Sequence, residues 1–190
     1  MDQPEIIARL KQGDKTVYAE VVERWQHMIY NTALSIVQND EDAEDITQDV
    51  FVTLYERIQD FREESTLSTW LYSITIRKAL DQEKKKKRQK HGGFLQKIFS
   101  VKEADEPANF NHPGILLDNK ERAAALFMAL KKLPEKQRVA FTLHKMEGLS
   151  YQQIADVMKT SLFAIESLQT RARNNLKKIL KEYYEQHFKN

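Results

Sequence analysis

The chain has 190 residues, a formal charge of +2, 41% hydrophobic and 31% charged residues, and no cysteine, which excludes disulfides, thiol catalysis and Cys-ligated zinc. Only 5 Gly and 4 Pro argue against turn-rich sandwiches and barrels and for helices. No run of 18 apolar residues could span a bilayer, and the start Met1-Asp2-Gln3-Pro4-Glu5 does not resemble a signal peptide, so a cytoplasmic protein without direct membrane insertion is expected.

Apolar residues recur at helical spacing through the first 80 residues. Val17, Val21, Val22 and Trp25 lead into Met28, Ile29, Ala33, Ile36 and Val37 at three- and four-residue intervals. Asn39-Asp40-Glu41-Asp42 breaks the pattern and supplies N-caps for a second helix, which carries Ala43, Ile46, Val50 and Leu54 on one stripe. A polar stretch from Gln59 to Ser68 reads as a loop. Ser68 or Thr69 is then placed to cap a helix bearing Trp70, Leu71, Ile74 and Ala79. That helix ends in cations: Lys84, Lys85, Lys86, Lys87, Arg88 and Lys90.

Pro, Gly and Asn cluster over 91–118 around a small apolar island (Phe94, Leu95, Ile98, Phe99), so this stretch reads as a flexible linker. Fully extended, it reaches about 90 Å at ~3.3 Å per residue. Beyond it, Ala123, Leu126, Phe127 and Leu130 mark one helix, and Pro134 suits the first turn of the next, which carries Val139, Ala140, Leu143 and Met146 and ends near Gly148. Ser150 and Gln153 have capping-box spacing for a short helix to about Met158. Lys159-Thr160-Ser161 breaks it, and a last helix runs from about Leu162 to Tyr184. The expected fold is all-α: two small helical domains, 1–90 and 119–190, joined by the linker 91–118.

Charge divides along the same line. Residues 1–80 carry 8 Lys/Arg and 15 Asp/Glu, whereas 81–190 carry 22 and 13. The halves therefore suit different partners. Asp42, Asp45 and Asp49, with Gln48, share one side of a helix, where like charges destabilise it by a few tenths of a kcal/mol per pair. They read as helix-start acids, as cation ligands, or as a docking face for a basic protein. The cation-rich helix preceded by Phe61 and Trp70 suits melted nucleic acid, although Trp70, beside Leu71 and Ile74, reads first as core. The two C-terminal helices and their tight turn match a helix-turn-helix unit, with Arg171, Arg173, Lys177 and Lys178 placed for phosphates. An antiparallel helical pair within a bundle has the same pattern. The five His (27, 91, 112, 144, 187) lack ligand spacing, and no phosphate loop or nucleophile motif occurs, so neither an enzyme, a metal site nor a cofactor is expected.

Taken together, the blocks resemble the sigma-70 family of bacterial transcription initiation factors, most closely its small extracytoplasmic-function class. The resemblance rests on Asp42-Ala43-Glu44-Asp45-Ile46-Thr47-Gln48-Asp49-Val50-Phe51, Phe61 and Ser68-Thr69-Trp70-Leu71-Tyr72-Ser73-Ile74 in the first block. In the second it rests on Ala129 through Arg138, Glu147-Gly148-Leu149-Ser150-Tyr151, Gln153-Ile154-Ala155 and Arg171-Ala172-Arg173. It covers about 17–90 and 125–181.

The resemblance implies a sigma factor that binds core RNA polymerase and promoter DNA. Asp42, Asp45, Gln48 and Asp49 would meet the β′ clamp helices, with further contact to the β subunit. Phe61, Ser65, Thr66, Ser68, Arg77, Lys78, Lys84, Lys85 and Arg88 would melt and read the −10 element. Ser161, Ala164, Glu166, Ser167, Thr170, Arg171 and Arg173 would meet the −35 duplex. An anti-sigma partner is also implied. Arg77 stands where the family commonly has Asn. In the recognition helix Phe163-Ala164-Ile165-Glu166-Ser167-Leu168 replaces the usual Gly-Thr-Val-Lys-Ser-Arg, so the role carries over without a base-by-base reading. An ordinary dimeric helix-turn-helix regulator or a protein adaptor would leave the acidic stripe or the basic helices without a use.

Overall fold

The computed structural model describes residues 1–92 and 120–187, with side chains over 1–89 and 124–185. Eight α-helices lie within them: α1 (Gln3–Lys11), α2 (Lys15–Val37), α3 (Asp40–Arg57), α4 (Leu67–Gly92), α5 (Lys120–Lys131), α6 (Glu135–Lys145), α7 (Tyr151–Met158) and α8 (Leu162–His187). A 3-10 turn, Ile58–Asp60, follows α3, and the described residues contain no strand. Most of the linker read over 91–118, with its island at 94–99, lies outside the described residues.

Local chemistry sets the helix ends. Asp14 caps α2 through bonds from the Thr16 and Val17 N–H groups, and Gln38 ends it in the left-handed region at φ 52°. Asn39 Oδ1 caps α3 by accepting from Asp42 N at 2.9 Å. The start of α4 is a correction to the sequence reading: Thr66 Oγ1 accepts from Thr69 N at 3.1 Å, so the helix begins at Leu67. The sequence reading also overlooked α1, a nine-residue helix capped by Asp2 with Pro4 in its first turn. In the C-terminal block Pro134 sits at the N-cap of α6, just ahead of the position expected. The capping box of α7 forms as its spacing predicts, with Gln153 N to Ser150 Oγ at 3.2 Å and Ser150 N to Gln153 Oε1 at 2.8 Å. Lys159, at φ 50°, makes the turn into α8.

Helices α2, α3 and α4 enclose Ile29, Leu34, Leu54 and Leu71, all fully buried. Val139, Leu143, Ile154, Val157 and Ile165 of the C-terminal block join that same core. A separate core, with Phe127, Leu130, Leu133, Ala172 and Leu176, lies between α5 and α8.

Polar groups seal the junction between the blocks. Arg138 of α6 is buried and meets Glu83 of α4 through both terminal nitrogens. Gln38 Nε2 donates to Phe127 O at 2.9 Å, and Ser73 Oγ to Val157 O at 3.0 Å. Glu147, placed against the hydroxyls of Thr32 and Tyr72, has its pKa raised to about 7 because burial penalises its charged form. Burial likewise pushes the Tyr72 phenol upward, with the Glu147 carboxyl adding to the shift.

Candidate polymerase and nucleic-acid interfaces

The acidic stripe on α3 splits into an inward and an outward part. Asp42 is only 6% exposed, accepts from Gln82 Nε2 at 2.9 Å and pairs with Lys86. It joins α3 to α4 and is used inside the fold. Asp45, Gln48 and Asp49 face solvent. Asp49 meets Lys78 at 3.3 Å, an exposed pair of small worth, while Asp45 and Gln48 make no hydrogen bond or ion pair among the described residues. Val52 and Tyr55 continue this face and are 52% and 63% exposed. The sequence reading missed them because both are apolar and were not weighed as surface groups. Their signal was being off the stripe of Ala43, Ile46, Val50 and Leu54.

The loop before α4 gathers hydroxyls. Thr66 Oγ1 lies 3.0 Å from Ser68 Oγ and 2.8 Å from Thr69 Oγ1. Phe61 is turned inward, 5% exposed, with its ring 5.1 Å from that of Trp70. It supports the loop instead of offering a stacking face, and Trp70 is partly buried against the core. The overlooked α1 braces the same loop: Lys11 Nζ donates to Phe61 O at 3.1 Å and to Glu63 at 3.1 Å, and Gln3 Oε1 accepts from Leu67 N at 3.2 Å. Glu63 holds φ 60°, a conformation that L side chains adopt rarely and that these contacts help fix.

Ser65, Thr66, Ser73 and Arg77 line a cleft of about 740 Å³ whose far wall is Gln153, Asp156 and Lys159 from the helix-turn-helix. Of the other predicted −10 residues, Ser68 is partly buried, Arg77 is exposed, and Lys78 is partly buried against Asp49. Lys84, Lys85 and Arg88 are exposed on the last turns of α4, with Lys84 paired to Glu135 of α6 at 3.5 Å.

Helices α7 and α8 form the helix-turn-helix. Ile154, Ala155 and Ile165 are buried where they cross, and Gln169 Nε2, also buried, donates to Ala140 O of α6 at 2.6 Å. Ser161 Oγ caps α8 by accepting from Ala164 N at 3.2 Å. Glu166, Thr170, Arg171 and Arg173 are exposed on the outer face, with Ala164 and Ser167 at its edge. The described residues contain no cluster of His, Asp and Glu able to hold a metal ion, and no described helix is long and apolar enough to cross a membrane.

Family models match both blocks: sigma-70 region 2 over residues 21–89 and sigma-70 region 4 over 123–176. The chain is 29% identical over 184 residues to the RNA polymerase sigma-H factor of Pseudomonas aeruginosa, covering 93% of this chain and 92% of that one. It is 28% identical over 176 residues to the ECF RNA polymerase sigma-E factor of Escherichia coli, covering 88% of each. Among solved structures, it resembles the sigma factor RpoE of Bartonella quintana in complex with the anti-sigma factor NepR, at TM-score 0.63 and 26% identity over 86% of this chain and 96% of that one. It shares its fold with CnrH in complex with the cytosolic domain of CnrY, at TM-score 0.68 and 21% identity over 95% and 97%. Two helical blocks in this order, one with an outward acidic face and one with a cationic helix-turn-helix, are thus matched by family along most of their length: the chain belongs to the extracytoplasmic-function class of the sigma-70 family, a non-enzymatic sigma factor of transcription initiation.

Proposed function

We propose that the chain docks on the β′ clamp helices of core RNA polymerase through Asp45, Gln48 and Asp49, with Val52 and Tyr55 as the apolar end of the same face. The supporting observation is the stripe itself. These groups stand outward on a helix that like charges destabilise, and Asp45 and Gln48 serve no contact within the described structure. Charge complementarity with a basic partner gives such a face both a fast encounter and a register. Asp42, ion-paired within the fold, serves it by setting the angle between α3 and α4.

In this reading the hydroxyl-bearing wall beside Arg77, uncovered when the helix-turn-helix moves away, takes an unstacked base of the melted −10 element, and Lys84, Lys85 and Arg88 follow the strand. Stacking and polar contacts there offset a melting cost of a few kcal/mol. The outer face of α8 enters the −35 major groove, with Arg171 and Arg173 on phosphates. The two elements lie about two duplex turns, ~70 Å, apart. A compact body of this length is only ~40 Å across. The blocks therefore part at their polar junction before both elements are engaged, and the stretch 91–118 is long enough to allow it. An anti-sigma factor is the expected inhibitory partner, supported by the likeness to RpoE, which was solved bound to one.

The test is competition with a housekeeping sigma factor for core polymerase. The native chain excludes the competitor, and the Asp45→Ala/Gln48→Ala/Asp49→Ala variant, with an unchanged melting temperature, binds core polymerase at least tenfold more weakly. A triple variant that competes as well as the native chain removes the proposed docking face.

A further inference from the structure

Phe163 is 80% exposed, more than any other large apolar side chain among the described residues. Leu162 beside it is 43% exposed. Folding gains nothing from an aromatic ring held in water, because the hydrophobic effect rewards only the area removed from it. The ring is nevertheless well placed. It projects from the first turn of α8, which is fixed by the Ser161 cap and by the burial of Ile165 and Gln169 underneath. An aromatic side chain has only two torsions to immobilise, so it makes contact at small entropic cost.

The groups around it narrow what it can meet. From Thr160 to Thr170 the chain has no Lys or Arg, so these turns cannot make the two-pronged contact to guanine that a cation provides. The cations begin at Arg171, the next residue and about two turns beyond Phe163, where they suit phosphates. Glu166, three residues after Phe163 and on the same exposed side, can only accept hydrogen bonds when ionised, and it repels both phosphate and the acceptor edge of guanine. An apolar ring beside an acceptor needs an apolar group among the base edges. The major groove offers one, the C5-methyl of thymine.

We infer that Phe163 is a specificity-determining residue that packs its ring on a thymine methyl in the −35 duplex. The inference rests on the proposed −35 reading of α8 and adds which base chemistry that helix selects. It replaces the guanine-directed readout of a cationic first turn with apolar readout.

The test uses the full chain bound to core RNA polymerase and a promoter library randomised across the −35 element. Selection with the native chain enriches thymine at one or two adjacent positions, and with Phe163→Ala that enrichment disappears. Synthetic duplexes carrying deoxyuridine at those positions lack only the methyl. The native holoenzyme loses about fourfold in affinity for them, since one buried methyl is worth ~0.8 kcal/mol, and the Phe163→Ala holoenzyme does not distinguish the two duplexes. An unchanged melting temperature in the variant is expected, given how exposed the ring is. Thymine preference and a deoxyuridine penalty that both survive Phe163→Ala overturn the inference. So does a variant that keeps its duplex preference but loses core-polymerase binding, which assigns the ring to a protein interface. If the native holoenzyme enriches no −35 sequence at all while still binding core polymerase, the −35 reading itself falls, and this inference with it.

Discussion

Helices α2, α3 and α4 bury their apolar residues in one core, whereas the C-terminal helices divide theirs between that core and a second one. Helices α5 and α8 close a small core around Phe127, Leu130 and Leu176, while α6 and α7 lay Val139, Leu143, Ile154 and Val157 against the N-terminal block. A domain this short buries a modest fraction of its apolar surface, so a borrowed face adds real stability. The junction is also polar: two ion pairs, one of them buried, side-chain bonds to main-chain carbonyls, and a buried carboxyl with one oxygen, Oε1, left without a partner. Interfaces of this mixed kind resemble separable contacts more than a continuous core. In the proposed function the N-terminal block stays intact, while the C-terminal block holds on and lets go.

That contrast can be broken most directly at Glu83. Glu83→Ala leaves Arg138 buried without its partner, a change that typically costs 3–5 kcal/mol when both charges are shielded. The junction should open, read as an increased radius of gyration in small-angle scattering, while the N-terminal helices keep their hydrogen-exchange protection. A scattering profile identical to that of the native chain would show that the pair does not hold the blocks together.

Acidity should tune the same junction with a smaller effect, on the order of 2 kcal/mol. Glu147 has its pKa raised from 4.5 to about 7 against the N-terminal block. Below pH 4.5 it is protonated whether the blocks are packed or apart, and it does not oppose packing. Between 4.5 and 7 the separated form releases its proton first, so packing weakens as pH rises, and above 7 the full cost is present. Scattering or interdomain fluorescence transfer should therefore report a more closed molecule at pH 5.5 than at pH 8. Glu147→Gln, which stays neutral, should flatten the profile. A native profile that is already flat across this range would separate Glu147 from the opening.

The smallest change belongs to the helix-turn-helix alone. Ser150→Ala removes the Gln153 N–H acceptor in the capping box of α7, worth ~1 kcal/mol. It should lower the thermal midpoint of the C-terminal block and leave core-polymerase binding unaltered. If the midpoint does not move, the packing of Ile154 and Val157 outweighs the cap.

Much of this was legible in the linear order of residues. Apolar spacing located α2, α3, α4 and the helix-turn-helix, because a helix must turn one stripe toward a core. The Ser150–Gln153 spacing located a cap, because that bond lies within one turn. Helix α1 escaped, since nine residues show too few periods to distinguish from chance, and its role in bracing the 61–66 loop runs through Lys11 and Gln3, some fifty residues or more from their partners. The acidic stripe was legible as a stripe but not in its division. Asp42 turns inward only because Lys86 and Gln82 arrive from another helix. Phe61 was read as an outward group for the same kind of reason: its burial against Trp70 depends on how the loop folds back.

By itself, then, the sequence determined every helix but α1, their order, the charge division between the blocks and the family, all properties of neighbouring residues or of motifs read in line. Tertiary structure decided which charges are consumed in ion pairs, which apolar groups remain in water, Val52, Tyr55 and Phe163 among them, and how the two blocks share a core. The physical reason is range. Propensity, capping and periodicity act within a few residues, whereas burial and pairing are set by groups that only the fold brings together.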